Sequence, residues 1–211
     1  DRYGWDLAFA AVVAGLVGGV AAVVVGYPAL RRRGLTLAVS TLAFALFVSS
    51  YLLNCTIFDD WLPGRRIDRG TLLTIPLNSE TRFFYVSLAF LALAIAMVVG
   101  VRRSRTGRVL IAIRENERAA RAYGVDATRS TLAAFALSGF LAAMAGSLFV
   151  HQQQGMSPDP YLAQRSLDLF SMVVIGGLGS LPGALLGAVY VRGADFFLPL
   201  DWQFLATGIG L

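Results

Sequence analysis

Long runs without a charged residue constrain this chain more than any other feature. Four runs of 19 to 21 residues contain no acidic or basic side chain: 7–27, 35–53, 83–101 and 131–150. A helix rises about 1.5 Å per residue, so roughly 20 residues cross the hydrocarbon core of a bilayer. These runs predict four membrane-spanning helices and an all-α integral membrane fold, a multi-span helical bundle. A signal peptide is the alternative for the first run, whose preceding residues include Asp1, Arg2 and Asp6 and so carry little positive charge.

A fifth apolar region is interrupted by glycine. Between Ser166 and Pro199 the sequence GGLGSLPG occupies 176–183, and such a segment breaks a helix. We therefore expect a glycine-broken pair of short helices, 166–178 and 183–198, as a broken span or a re-entrant hairpin. A last span is expected to start at 202. The chain begins without Met and ends in an apolar stretch, 202–211, that is too short to cross a bilayer, so we expect a fragment.

The distribution of arginine predicts the orientation in the membrane. All 18 basic residues are arginine, and loops 28–34 and 102–130 together carry 11 of them against three acidic residues. Two predicted spans separate these loops, so both lie on the same side, and the positive-inside rule makes that side cytoplasmic. Loops 54–82 and 151–165 are then extracytoplasmic. The basic charge reflects topology and not nucleic-acid binding, since aromatic residues do not alternate with the arginines.

The residues that are missing exclude several chemistries. Without lysine the chain contains neither a GxxxxGK[ST] phosphate loop nor a Schiff-base lysine. One histidine (His151) and one cysteine (Cys55) cannot form an HExxH or CxxC metal site. We therefore predict no catalytic residue and no metal site, and we find no nucleophile and base that would support a membrane enzyme.

Small residues at a spacing of four predict how the helices pack, because close approach drives association in lipid. Gly15 and Gly19 form such a pair in the first run, and Ala134, Ser138, Ala142 and Gly146 form a face in the fourth. Gly179, Gly183 and Gly187 repeat the spacing. Packing is one interpretation, and space for a solute is the other. On the second interpretation, the candidate residues of a translocation path are Thr36, Ser40, Gly176, Gly177, Gly179 and Ser180.

The loop 102–130 has a helical pattern of its own. Its apolar residues recur at roughly helical spacing: Val109, Leu110, Ile113, Ala120 and Tyr123. Glu115 with Arg118, and Glu117 with Arg121, have the spacing of helix-stabilising ion pairs, and Gly124 is a plausible helix stop. We expect one short amphipathic helix, which is a membrane-surface anchor, an inert solvated helix or a docking helix for a partner.

Three segments resemble the permease subunits of high-affinity, binding-protein-dependent ABC importers of branched-chain amino acids. They are GYPALRRRGLTLAVSTLAFA at 26–45, GRVLIAIRENERAARAYGVDATRSTLAAFALSGFLAAMAGSLF at 107–149, and SMVVIGGLGSLPGALLGAV at 171–189. The last is similar to the family pattern MVVxGGxGSxxGxxxGA. Urea and short-amide permeases share these patterns.

The resemblance implies one transmembrane permease domain over 1–211 in a bacterial inner membrane, with a cytoplasmic coupling helix. The same resemblance implies that this chain is a fragment that lacks N-terminal helices and the end of the last helix. It also implies several partners, namely ABC ATPase subunits, a second homologous permease subunit and an extracytoplasmic solute-binding protein, besides membrane lipid. This chain would bind no cofactor, and ATP with Mg²⁺ would bind the ATPase. The implied ATPase-coupling residues are Arg114, Glu115, Asn116, Glu117, Arg118, Ala119, Ala120, Arg121, Tyr123 and Gly124.

A secondary transporter or channel for a small solute is the alternative function. Such proteins commonly use an ionisable group in the middle of the membrane, and the four uncharged runs contain none. The sequence therefore favours an importer subunit whose energy source lies on another chain or on a fused domain.

Overall fold

The computed structural model describes residues 6–30, 35–52, 71–72, 75–76, 79–154 and 163–197, and all structural statements concern these residues. Side chains at a few positions within these ranges, including Thr36 and Ser40, lie outside the description. The span expected from 202 and the arginines of loop 28–34 lie outside it as well.

The described chain is almost entirely helical, which confirms the predicted all-α class. The elements in chain order are α1 (Leu7–Leu30), α2 (Leu35–Phe47), a π-helical turn (Val48–Leu52), β1 (Thr71–Leu72), β2 (Ile75–Pro76), α3 (Glu80–Arg103), α4 (Arg105–Glu115), α5 (Glu117–Ala122), α6 (Ala127–Gln153), α7 (Ala163–Gly176) and α8 (Leu181–Phe197). The two short strands pair antiparallel as a hairpin, which the sequence did not predict.

Three described helices are long and apolar enough to cross a membrane: Leu7–Pro28 of α1, α3 and α6. The segments Arg165–Gly176 and Leu181–Phe197 meet the same criterion only as a pair, and they bend by 119° at the break between them. Most apolar side chains on these helices are exposed within the chain, as expected for surfaces that contact lipid. The uncharged run 35–53 is helical in its described part, but the π-helical turn interrupts its α-helical hydrogen bonding after Phe47.

The chain divides into two compact units. The first comprises Asp1–Ala43 and Cys55–Met156, and the second comprises Phe44–Asn54 and Ser157–Leu211. At one end of the first unit, Leu7 of α1 and Phe83 of α3 are buried against each other. Val86 and Leu148 pack around this pair, so α1, α3 and α6 share a small apolar core there.

The main contact of the first unit is the close packing of α1 on α6. Gly18 and Gly139 face each other, and a Cβ atom built on either one would lie 2.7 Å from the carbonyl oxygen of the other. The same added atoms would also collide with Ala143 and Ala22. These helices therefore approach to backbone contact, which only glycine permits at the two positions.

The glycine pair predicted for α1 lies in this contact. A Cβ atom at Gly15 would approach the Phe140 ring to 2.7 Å, and one at Gly19 would lie 3.2 Å from the Ala136 oxygen. The small-residue face predicted for α6 is wrong as a description of this packing. Ser138 and Ala142 are exposed, and a Cβ atom at Gly146 would meet nothing within 4 Å. A period of four describes more than one face of α6. The face in contact with α1 carries Gly139, Phe140 and Ala143.

Glycine also shapes the second unit, where α7 turns into α8. Gly177 and Gly179 have positive φ angles of 97° and 100°, a conformation that glycine adopts at no steric cost. Ser180 follows, and its Oγ accepts a hydrogen bond from the Gly183 N–H at 3.1 Å, as an N-cap residue does. Beyond the turn, Gly183 lies against the backbone of Gly176, which leaves no space for a side chain on either residue.

The contact between α1 and α6 can be tested with two identical substitutions on α6. We expect Gly139→Ala to destabilise the protein by about 1–3 kcal/mol, because the new methyl group collides with backbone and with Ala22. Gly146→Ala should leave stability unchanged or raise it by up to about 1 kcal/mol, because its methyl group enters open space and alanine favours a helix over glycine. Thermal unfolding of the purified full-length protein in detergent measures both changes. Equal unfolding midpoints for the two variants would contradict the packing described above.

Candidate functional site

The connection between α3 and α6 is the candidate functional site, and it starts with a sharp corner at Ser104. The Ser104 N–H donates to the oxygens of Gly100 and Val101 at 3.1 Å each, which completes the last turn of α3. Its Oγ donates to Val101 O at 2.7 Å and accepts from the Gly107 N–H at 3.4 Å. One residue therefore ends α3 and caps α4.

Gly107 fixes how closely α4 follows this corner. The residue is buried, and a Cβ atom built on it would collide with the carbonyl oxygens of Val101 and Arg102. The first turn of α4 thus packs directly on the end of α3, with no room for a side chain between them. Sequence reasoning did not single out Gly107. The available signal was an isolated glycine within a stretch that otherwise favours helix.

Asn116 divides the predicted amphipathic helix in two. Its backbone is extended (φ −154°, ψ 95°), its N–H donates to Ala112 O at 2.9 Å, and its Oδ1 accepts from the Ala119 N–H at 3.0 Å. These bonds end α4 and cap α5. The prediction of one continuous helix is therefore wrong, because an asparagine side chain satisfies the free N–H groups of a new helix start.

The structure contains one of the two ion pairs predicted in this segment. Arg121 Nη2 lies 2.7 Å from Glu117 Oε1, as expected for an i,i+4 pair within one helix. Among the described residues no ion pair joins Glu115 to Arg118. The reason is the break, since Glu115 ends α4 and Arg118 belongs to α5. The remaining pair is half-exposed and contributes less than about 1 kcal/mol by itself.

The predicted helix stop at Gly124 is present and takes the form of a Schellman motif. Gly124 has a φ of +80°, its N–H donates to Arg121 O at 3.0 Å, and the Val125 N–H donates to Ala120 O at 3.2 Å. Ala120 is buried and Tyr123 is 89% exposed. Tyr123 therefore does not share the buried side of Ala120, since it is the residue that caps the end of α5 and its ring is exposed.

Asp126 connects the segment to α6. Its Oδ1 accepts a hydrogen bond from the Arg129 N–H at 3.0 Å, and its Oδ2 lies 3.1 Å from Arg129 Nε. Ala127, the first residue of α6, is buried. Only three residues, Tyr123, Gly124 and Val125, separate the end of α5 at Ala122 from this cap. The segment is therefore a chain of capped helices and not a flexible loop.

The structure places most residues of the predicted coupling set on one exposed stretch. Ala120 is buried and Glu117 is half-buried, whereas the other members are exposed: Arg114, Glu115, Asn116, Arg118, Ala119, Arg121, Tyr123 and Gly124. Their role in coupling stays a prediction. Among the described residues, no group of three His, Cys, Asp or Glu side chains could hold a metal ion.

The predicted translocation residues lie in two places. Gly176, Gly177, Gly179 and Ser180 form the turn between α7 and α8, where Gly176 provides backbone contact and Ser180 caps a helix. Thr36 and Ser40 belong to α2, but their side chains lie outside the described part of the structure. The structure therefore gives the glycines a packing and turning role, and their part in a solute path stays a prediction.

A charged pair lies near the end of α8. Arg192 Nη1 lies 3.7 Å from Asp195 Oδ2, and both side chains are partly exposed. The pair leaves no net charge on this part of α8.

Comparison with known proteins supports the resemblance found in the sequence. Residues 1–198 match the model of a family described as the permease component of branched-chain amino acid transport systems. The high-affinity branched-chain amino acid transport system permease protein LivM of Salmonella typhimurium is 33% identical over 201 residues, which cover 84% of this chain and 47% of LivM. The chain thus spans about half the length of the curated relatives that it matches most extensively.

Relatives with other printed substrates match as well. The autoinducer 2 import system permease protein LsrC of Klebsiella pneumoniae is 34% identical over 165 residues, covering 72% of this chain and 47% of LsrC. The xylose transport system permease protein XylH of Escherichia coli is 33% identical over 118 residues, covering 50% of this chain and 30% of XylH. No solved structure gives a significant match.

The cap at Asn116 gives a testable prediction about the rigidity of α5. We expect Asn116→Ala to accelerate hydrogen exchange of the α5 amides about fivefold, because loss of an N-cap costs about 1 kcal/mol. The effect should be largest at Ala119, whose N–H is the capped group. Asn116→Asp keeps an acceptor at the same position and should leave exchange nearly unchanged. If Asn116→Ala exchanges at the unaltered rate, the cap does not hold α5 in place.

Proposed function

Because the chain belongs to the family of permease components of branched-chain amino acid transport systems, we propose that it is a membrane-spanning subunit of an ABC importer. It is a multi-pass protein of the bacterial inner membrane. In the proposed complex it translocates branched-chain amino acids, or a related small polar solute, while a separate ATPase supplies the energy.

The observation that supports this function most directly is the exposed helix α5, capped at both ends, in the connection between α3 and α6. Asn116 caps its start and the Gly124 motif closes its end. Ala120 of α5 is buried, whereas Arg118 and Tyr123 are exposed. A partner that displaces such an element moves α3 and α6 with it, because each junction is hydrogen-bonded and short. This is the mechanical property that a coupling element requires.

The proposed partners come from the resemblance to importer permeases. Without lysine the chain has no nucleotide-binding phosphate loop, so ATP with Mg²⁺ would bind an ATPase subunit that contacts the coupling set. A second homologous permease subunit would complete the translocation path, and an extracytoplasmic solute-binding protein would deliver the solute. In this proposal the chain itself binds no cofactor.

The proposed solute is a branched-chain amino acid. The match to LivM extends over 84% of the chain, against 72% for LsrC and 50% for XylH. We propose that the turn at Gly176–Ser180 borders the solute path, and Thr36 and Ser40 remain candidates from the sequence alone. Positive φ angles at Gly177 and Gly179 turn the chain sharply here, and the only large side chain between these two glycines is that of Leu178.

Charge reversal on α5 tests the coupling role. Glu117→Arg removes the partner of Arg121 and adds a third cation to α5, beside Arg118 and Arg121. We expect energy-dependent uptake by the complete transporter in membrane vesicles to fall at least about tenfold, a change of about 1.4 kcal/mol. The amount of protein in the membrane should not change, because one exposed ion pair adds little stability.

A matched control for this reversal lies on α7. Asp168 pairs with Arg165 at 3.6 Å, and both side chains are partly exposed. Asp168→Arg therefore makes the same kind of change outside the coupling set, and it should leave ATPase association unaltered. Full uptake by Glu117→Arg would contradict the coupling role of α5. ATP-independent uptake by the unaltered protein would favour a secondary transporter or channel.

Uptake of labelled leucine tests the solute. We expect the complete transporter to accumulate leucine in an ATP-dependent manner, with competition from excess isoleucine and valine. Urea and xylose should compete at least about tenfold less well, since a site adapted to an amino acid leaves polar groups unpaired with either of them. Accumulation of urea, with no leucine uptake, would overturn the proposed solute and leave the coupling role intact.

A further inference from the structure

The corner between α3 and α4 has a concentration of positive charge that the coupling role does not use. Four arginines occur within seven residues: Arg102, Arg103, Arg105 and Arg108. All four are exposed, and no acidic residue occurs between Arg102 and Arg114. We call these four arginines the basic corner.

The length of α3 sets the depth of the basic corner in the membrane. The uncharged part of α3, Phe83–Val101, contains 19 residues and is about 28 Å long at the usual helical rise. This length matches the roughly 30 Å hydrocarbon core. When the uncharged part spans that core, Arg102 and the residues after it lie at the level of the lipid phosphates.

The fold keeps α4 close to this level. Gly107 packs on the carbonyl groups of Val101 and Arg102, so the first turn of α4 remains at the end of α3. The Arg108 Nη1 donates to the carbonyl oxygen of Arg103 at 3.3 Å. The Arg108 side chain therefore points back toward the end of α3 and not along α4 into the solvent.

The acidic groups of the connection are occupied or distant in sequence. Glu117 is paired with Arg121, and Asp126 with Arg129. Glu115 lies at the other end of α4 from the basic corner. No described carboxylate forms an ion pair with Arg105 or Arg108. An external anion is thus the counterion that fits the guanidinium groups of Arg105 and Arg108.

We propose that the basic corner binds the phosphate group of an anionic phospholipid of the surrounding membrane. Guanidinium groups bind phosphate with two parallel hydrogen bonds, and clustered arginines next to a membrane-spanning helix attract anionic lipid. The depth of the basic corner favours a lipid phosphate over a protein partner, because the corner directly follows the membrane-spanning part of α3. This proposal requires membrane insertion only and is independent of the importer function.

Lipid retention by the purified full-length protein tests the proposal. The protein in detergent is mixed with phosphatidylglycerol or with phosphatidylcholine, and native mass spectrometry measures the bound lipid. We expect the unaltered protein to retain phosphatidylglycerol preferentially. The variant Arg105→Gln/Arg108→Gln should lose about tenfold or more of this preference, since each neutralised arginine near the surface contributes about fivefold.

Two further variants separate charge from geometry. Arg114→Gln/Arg118→Gln removes the same number of exposed charges farther along the connection, and it should retain the lipid as the unaltered protein does. Arg105→Lys/Arg108→Lys keeps the charge but loses the paired hydrogen bonds, and we expect intermediate retention. If the double glutamine variant does not fold, Arg105→Gln alone provides the test, because no described ion pair depends on Arg105.

Several results would overturn the proposal. One is equal retention of both lipids by the unaltered protein, and another is unchanged retention by Arg105→Gln/Arg108→Gln. Complete displacement of the lipid by millimolar inorganic phosphate would assign the corner to a soluble anion. Loss of ATPase association without loss of lipid retention in the same variant would assign it to the protein partner.

Discussion

Contact of one helix backbone with another is the interaction on which the described bundle depends. Lipid provides no hydrophobic force between helices, so stability must come from surfaces that fit closely. Gly18 and Gly139 provide that fit between α1 and α6, and Gly176 and Gly183 provide it between α7 and α8. The same residue thus serves two units in different ways, since the second unit also uses glycine to reverse the chain at Gly177 and Gly179.

Outside the membrane-spanning helices, hydrogen-bonded helix ends take over this role. Ser104, Asn116 and Asp126 each place a side-chain oxygen on a free N–H group of the next helix. Each cap contributes about 1 kcal/mol, and together they make the connection from α3 to α6 a series of fixed angles. The buried residues Gly107 and Ala120 add contact where the short helices alone would be unstable.

The sequence predicted the parts of this structure that depend on local patterns. Uncharged length located α1, α3 and α6, a glycine marked the end of α5 at Gly124, and spacing within one turn located the Glu117–Arg121 pair. The run 35–53 is not among the described helices that are long enough to span, since its α-helical part ends at Phe47. It did not predict which face of α6 contacts α1, because a period of four describes several faces equally well. It also did not predict the break at Asn116, since helix-supporting residues surround it, nor the buried contact of Gly107. These features depend on contacts and hydrogen bonds in the folded structure, which a local sequence pattern does not specify.

The corner at Ser104 also limits how the length of the connection can vary. Connections outside a membrane usually tolerate insertions and deletions, but here Ser104 is the one residue between α3 and α4. Adding or deleting a residue would rotate every later side chain of α4 by about 100° around the helix axis. Gly107 would then leave the position where only glycine fits. Members of the family that keep this corner should therefore differ in side chains along the connection and not in the number of residues between α3 and α4.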